Sequence, residues 1–488
     1  MIYLLIALSI SFVLFVINRV TINLNRSRKS EGEYGGFRDW VKNPEMKNEY
    51  AEFMESQQAA KKSLRVPENI SDRDIEKLVN RLFIEDDHDF NYDKLQLIGK
   101  KAVPFLMKAL QNQRVAKRFN PNGFKFGSDT PLQRICSLLI PHDANRAVKI
   151  LTRFIDHEDN YVRKYAALEI SEHGTGACIP TILKALDDED DYVRSHTMIG
   201  IRNGIREGTN SKEFLTGIFP GLIKLLNRKD RSVGGEAPRL LLDIDTDKAV
   251  PILLSSNYFT IENSQLHYII MALNEAEYQI PRVQLLPLMN QLKHNVDKYP
   301  HDYEYAEALH AYAFNPDQSA EQYLRNDLNS PHKKVQEAAA RAIGILEGIT
   351  EPFNVILETK KESGFEGLTK QQKFYYAVFM YDAEVRNGGH AQYFVNSTGN
   401  NWKTAYAGLK AIGASSRVTI LRNALSLFGK AGPSEDNDLR HEQLADFSQK
   451  QEDILDKLND EYYDCQENTE MLLALFAIAH KRHFIADD

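Results

Sequence analysis

The segment Glu384-Val-Arg-Asn387-Gly388-Gly389-His-Ala-Gln392-Tyr393-Phe394-Val-Asn396-Ser-Thr-Gly399 gathers the residue types best suited to chemistry in this chain of 488 residues. A glycine pair that opens a helix can present free backbone amides to an anion. No lysine or arginine pattern of the phosphate-loop kind accompanies this one. The other reading is a tight interhelical turn locked by the side-chain amides of Gln392 and Asn396, with Asn387-Gly388-Gly389 ending the preceding helix because glycine tolerates the left-handed conformation. Glu384, Asn387, Gly388, Gly389, Gln392, Tyr393, Asn396 and Gly399 are the candidate motif and binding residues.

Other chemical candidates are weaker. His480 and His483 lie three apart on one helical face and could share a metal, but no third ligand accompanies them. No Gly-x-Ser-x-Gly, His-Glu-x-x-His or glycine-rich phosphate loop occurs. Cys136, Cys178 and Cys465 are an odd number without metal or disulfide spacing and read as free, reduced thiols. The sequence therefore predicts no catalytic residue, no metal site and no cofactor.

Charge is more informative. Between Glu435 and Glu470 stand thirteen acids against Arg440, Lys450 and Lys457, whereas a solvated helix ordinarily mixes its signs. Asp453, Asp456, Asp460, Glu461 and Asp464 are the candidate acidic surface. Residues 365–434 carry eight Lys and Arg against three acids, enough to neutralise such a face internally. A net charge of -8 argues against a protein that itself coats nucleic acid, since phosphate binding needs concentrated cations, although distribution matters more than the sum.

These residues need helices to position them. Residues 370–386 should form one helix ending at the glycine pair, with a short helix carrying Gln392 to Asn396 after it. Further helices are expected at 405–412, 417–428, 442–458 and 469–480. Together they make a helical domain over 364–488.

Upstream, the chain is periodic. Asp156-His-Glu-Asp-Asn-Tyr161-Val-Arg163 recurs as Asp187-Asp-Glu-Asp-Asp-Tyr192-Val-Arg194, and more loosely at Asn227-Arg-Lys-Asp230-Arg-Ser-Val233. Each copy sits between two apolar-periodic helices, as expected of a solenoid whose helix pairs must stack to bury their apolar faces. Arg163 and Arg194 should bond acidic turn residues such as Asp159 or Asp190. Ser71 with Asp74 marks a helix start, so the solenoid is expected over 71–350, with 252–330 as divergent repeats or an insertion.

Residues 1–17 carry no charge and are rich in Leu, Ile, Val and Phe, while Arg19, Arg26, Arg28 and Lys29 follow. This order predicts a transmembrane anchor over 1–24 rather than a cleaved signal, a polar tether over 25–70, and a single-pass membrane protein with its C-terminal bulk in the cytoplasm.

Two resemblances follow from these patterns. Gly99-Lys-Lys-Ala-Val-Pro104-Phe-Leu, the acidic turns and Tyr-Val-Arg-x-x-Ala resemble HEAT repeats, including those of phycobilisome lyases. That resemblance implies a binding scaffold, or alternatively lyase-type enzyme chemistry in the concave groove. The motif at 387–399, with Ala411-Ile-Gly-Ala414 and Leu425-Ser-Leu-Phe428, resembles the C-terminal domain of the bacterial DNA-mimic protein family whose founding member sequesters a transcription factor. It implies a protein partner, either a basic nucleic-acid-binding protein or, for an immunity protein, a toxin. The sequence thus predicts an all-α, membrane-anchored, non-catalytic scaffold.

Overall fold

The computed structural model describes residues 64–84, 90–119, 130–228 and 235–485. Within them are twenty-two α-helices and no strand. The chain divides into two units, one spanning Leu64–Thr350 and one beginning at Glu351.

The first unit runs through α1 (Asp72–Arg81), α2 (Asn91–Ile98), α3 (Val103–Leu110), α4 (Pro131–Leu151), α5 (Asn160–Glu172), α6 (Ile179–Leu186), α7 (Asp191–Glu207), α8 (Lys212–Leu225), α9 (Glu236–Ile244), α10 (Thr246–Leu253), α11 (Leu266–Glu275), α12 (Arg282–His294), α13 (His301–Phe314), α14 (Ala320–Asp327) and α15 (Lys333–Leu346). Alternate helices stack: α5 on α7, α7 on α9, α9 on α11, α11 on α13 and α13 on α15. Helices such as α6, α8 and α12 flank that layer. This is the solenoid pattern, in which each pair closes its apolar face against a neighbour. It continues through 252–330, where sequence similarity to the repeat is poor.

Local chemistry explains the repeat. Asp159 and Asp190 stand one residue before α5 and α7, where a carboxylate can accept from the unsatisfied amides of the first turn. They accept from Tyr161 N and Tyr192 N, each at 2.9 Å. That duty corrects the expected arginine partner. Arg163 instead reaches the next turn, donating to both oxygens of Asp188 at 2.9 and 3.0 Å and to the carbonyls of His157 and Glu158. Arg194 repeats the carbonyl half on Asp188 and Glu189. Gly200 lets α7 approach α5, for a Cβ there would lie 2.3 Å from Leu168 O.

The membrane expectation needs correction. No helix among the described residues is long and apolar enough to cross a membrane. Residues 1–24 lie outside the described residues, as does the tether up to residue 63.

The second unit contains α16 (Pro352–Ser363), α17 (Lys370–Val395), α18 (Trp402–Ala411), α19 (Ser415–Ser426), α20 (Asn437–Ala445), α21 (Gln449–Asp464) and α22 (Thr469–Ala479). Helix α17 is its axis, opened by a capping box of Thr369 and Gln372 and packed by α18, α20, α21 and α22. Val378, Tyr381, Val385 and Phe394 of α17 form the core with Leu409, Leu421 and Tyr462. Helix α16, not expected from the pattern, belongs here because Phe353 packs on Phe379 at 4.1 Å and stacks on Tyr376. The single helix expected over 442–458 is two helices. Ser448 and Gln451 form a capping box, which starts α21 afresh after α20 ends.

Candidate functional site

The glycine pair bends α17 without unravelling it. Gly388 sits at φ -158° and Gly389 at φ 76°, ψ -178°, so the helix continues on a new axis from His390. The second half is short, and its opening amide at His390 is already taken. His390 N donates to Asn459 Oδ1 at 2.8 Å, and the Tyr463 hydroxyl donates to Val385 O at 2.8 Å in the turn before the bend. Those bonds leave the anion reading little support and favour a locked turn.

Glu384 is the hub of the lock. Its Oε2 accepts from Gln392 Nε2 at 2.9 Å and Asn396 Nδ2 at 2.7 Å, while Oε1 accepts from Thr398 Oγ1 at 3.2 Å. One carboxylate thereby ties the first half of α17 to the second and to the turn after it. Asn387 and Gly388 are exposed at the bend, and Gly389 is buried. Tyr393 is buried in the core, where its ring meets Tyr381 edge-on and its hydroxyl makes no hydrogen bond. Gly399 faces a close approach, since a Cβ there would lie 2.6 Å from Tyr393 O and 3.1 Å from Arg440 Nε.

Two predictions follow from this packing. Gly389 occupies a backbone region essentially reserved for glycine, and an added Cβ would also meet Asn459 Nδ2 at 2.6 Å. Gly389→Ala should cost about 2–4 kcal/mol, read by urea unfolding of the full chain. Tyr393→Phe removes an unsatisfied buried hydroxyl and should be neutral or stabilising by up to about 1 kcal/mol in the same assay.

Behind the motif lies a buried polar cluster. His390 Nδ1 contacts Asn459 Oδ1 at 2.7 Å and so carries the proton, leaving Nε2 to accept from the Tyr381 hydroxyl at 3.0 Å. Burial lowers the imidazole pKa from its ordinary 6.5 to about 4, against the hydrogen bond to Asn459. Burial likewise pushes the Tyr381 and Tyr462 phenols up, and the Tyr462 hydroxyl donates to Asp382. Asp382 also pairs with Arg386 at 2.6 Å.

The imidazole gives a pH prediction with a definite sign. Because the folded value is depressed, the unfolded chain binds the proton more readily, and stability falls as pH drops from 6.5 towards 4. The loss should reach about 3 kcal/mol and vanish from the pH profile of His390→Asn, compared by urea unfolding at pH 7 and pH 4.5.

The acidic surface is built on α20 and α21. Asp453, Asp456, Asp460, Glu461 and Asp464 are all exposed on α21, whose other side buries Leu455, Leu458 and Tyr462. Spacings of three, four and four place Asp453, Asp456, Asp460 and Asp464 in one stripe. Asp438 and Glu442 on α20, with Asp446 just past its end, form a second exposed stripe. Ten of the thirteen acids between Glu435 and Glu470 are exposed.

Internal neutralisation is partial, since Lys457 of α21 itself lies 3.9 Å from Glu461. Arg440 is fully buried and Arg417 nearly so, so neither guanidinium faces the acidic surface. Lys373 pairs with Glu366, Arg386 with Asp382, and Lys403 reaches the rim at Glu435. Glu467 is not part of the open face. Burial opposes its charge, but the amides of Ser416 and Arg417 at the start of α19 hold its carboxyl below the usual range.

Sequence reasoning missed Arg440 and Asn459, which hold this surface from behind. Arg440 Nε donates to Phe394 O at 2.6 Å, Nη1 to Ser434 O at 2.7 Å, and Nη2 to Asn396 O, Asn400 Oδ1 and Asn437 Oδ1. Burial lowers its pKa. The available signal was an isolated arginine in an acidic run, placed about 200° round the helix from Asp438. His480 packs on Phe476, His483 meets Arg482, and no group of three ligating side chains suited to a metal occurs among the described residues.

The fold and the site define an all-α repeat protein carrying a separate helical unit with an acidic face. Residues 366–481 match the family model described as DMP19-like protein. That match falls within the segment whose motif resembles the DNA-mimic family. A search of the curated proteins finds none that matches this chain.

Proposed function

We propose that this chain is a non-catalytic scaffold whose C-terminal unit binds a basic protein, one whose own ligand is nucleic acid, through the acidic face of α20 and α21. The observation that carries the reading is the coincidence of the DMP19-like match with ten exposed acids on two adjacent segments of that unit. The HEAT type of the repeats and the domain limits of 71–350 and 364–488 belong to the same proposal, the second limit extended upstream to Glu351 to take in α16. Glu384, Asn387, Gly388, Gly389, Gln392, Tyr393, Asn396 and Gly399 serve it by shaping the unit, and the five α21 carboxylates serve it by contact.

Magnitudes decide how much surface is needed. The α21 stripe places four carboxylates along about 16 Å of helix, or one per about 5 Å. A nucleic-acid strand carries one charge per about 3.4 Å, so one stripe underfills even a single strand. The second stripe on α20 must contribute. Full-length chain and a variant with Asp453, Asp456, Asp460 and Asp464 changed to Asn and Glu461 to Gln should be used as baits in native-host lysate. The reading expects a protein retained by the first and lost by the second. Recovery of the same proteins by both baits at equal salt would overturn it.

A further inference from the structure

The two acidic helices are not attached to the unit at unrelated places. Asn459 of α21 accepts from His390 N and meets His390 Nδ1, at the start of the second half of α17. Arg440 of α20 donates to Phe394 O and Asn396 O at its end, and His441 Nε2 lies 2.6 Å from Val395 O. The same span, the six helical residues 390–395 and the cap Asn396, is therefore gripped at one end by each acidic helix. Its length is about 9 Å.

We propose that the second half of α17 is a spacer that sets the separation of the two acidic stripes, with Arg440 and Asn459 as positioning residues. The inference rests on the acidic-face reading for its functional meaning, but its geometry stands independently. Arg440 is buried and Asn459 half-buried. Each is a polar group anchoring one helix, while the carboxylates of the same helices face outward. The bend at Gly388-Gly389 aims the spacer, and the Glu384 lock fixes that aim. The signature residues thus act on the surface from beneath it.

The test is a pulsed electron-spin distance measurement between nitroxides at Glu442→Cys on α20 and Asp456→Cys on α21, in full chain carrying Cys465→Ser. The native background should give one narrow distance. Asn459→Leu removes the acceptor for His390 and should shift and broaden that distance. Asn459→Asp retains an acceptor and should keep it narrow. Arg440→Lys, which cannot span the same acceptors, should behave like Asn459→Leu. Leu473→Ala, a core truncation on α22, is the control for general destabilisation and should leave the distance in place. An unchanged distance in folded Asn459→Leu, or an equal shift in Leu473→Ala, would overturn the spacer. A shifted distance with unaltered partner affinity would support the spacer while contradicting the acidic-face reading.

Discussion

Changing Asp453, Asp456, Asp460 and Asp464 to Asn and Glu461 to Gln should weaken the captured partner's binding by roughly tenfold to a thousandfold at low salt, since exposed charge pairs contribute about 0.2–1 kcal/mol each. Most of the loss should appear in the association rate, because charge on an open face steers encounter more than it holds the complex. Raising salt to physiological strength, where the screening length is about 8 Å, should narrow the gap between native and variant. All five side chains are exposed, so the fold should survive. Surface plasmon resonance at two salt concentrations reads both effects. A folded variant with unaltered rates at both would remove α21 from the interface.

Arg440→Met should destabilise the C-terminal unit by about 4 kcal/mol or more, because truncating a fully buried charged donor strands several acceptors at once. The guanidinium holds three backbone carbonyls and two side-chain amides. Methionine fills similar space and satisfies none of them. Urea unfolding should show the transition of this unit move to lower denaturant while that of the solenoid stays fixed. Loss of less than about 1 kcal/mol would mean that water replaces the lost donors and that Arg440 is not the fastener.

Much of the fold was legible in the sequence because its signals are local. Ser71 caps α1 as expected, and the glycine pair interrupts the helical backbone where a helix end was expected, although α17 resumes at His390. Local reasoning failed where a second signal overrode periodicity. The apolar spacing over 442–458 suits one helix, yet the Ser448 and Gln451 capping box divides it. It also failed wherever a partner lies far along the chain. Arg163 meets Asp188 twenty-five residues away, and Arg440 meets Phe394 at a separation of forty-six. Nothing adjacent to these arginines names those partners.

The acidic surface was partly legible. Charge counting found the excess of acids but could not place the eight bases of 365–434, because whether a base neutralises a face depends on burial and pairing. Arg417 illustrates the point, since its guanidinium lies 3.6 Å over the buried Tyr462 ring and donates to Tyr462 O. Counting also treated Arg440 as a surface charge. Its burial leaves only Lys450 and Lys457 among the acids of that segment.

A competition titration tests the proposal with the fewest assumptions. The protein retained by the full-length chain would be purified and bound to labelled duplex DNA, and the unlabelled chain would be titrated in at fixed salt. If α20 and α21 present a substitute for nucleic acid, the chain should displace the DNA completely and competitively, and the five-carboxylate variant should do so only at much higher concentration. Formation of a ternary complex, with DNA and chain bound to the partner together, would contradict the proposal.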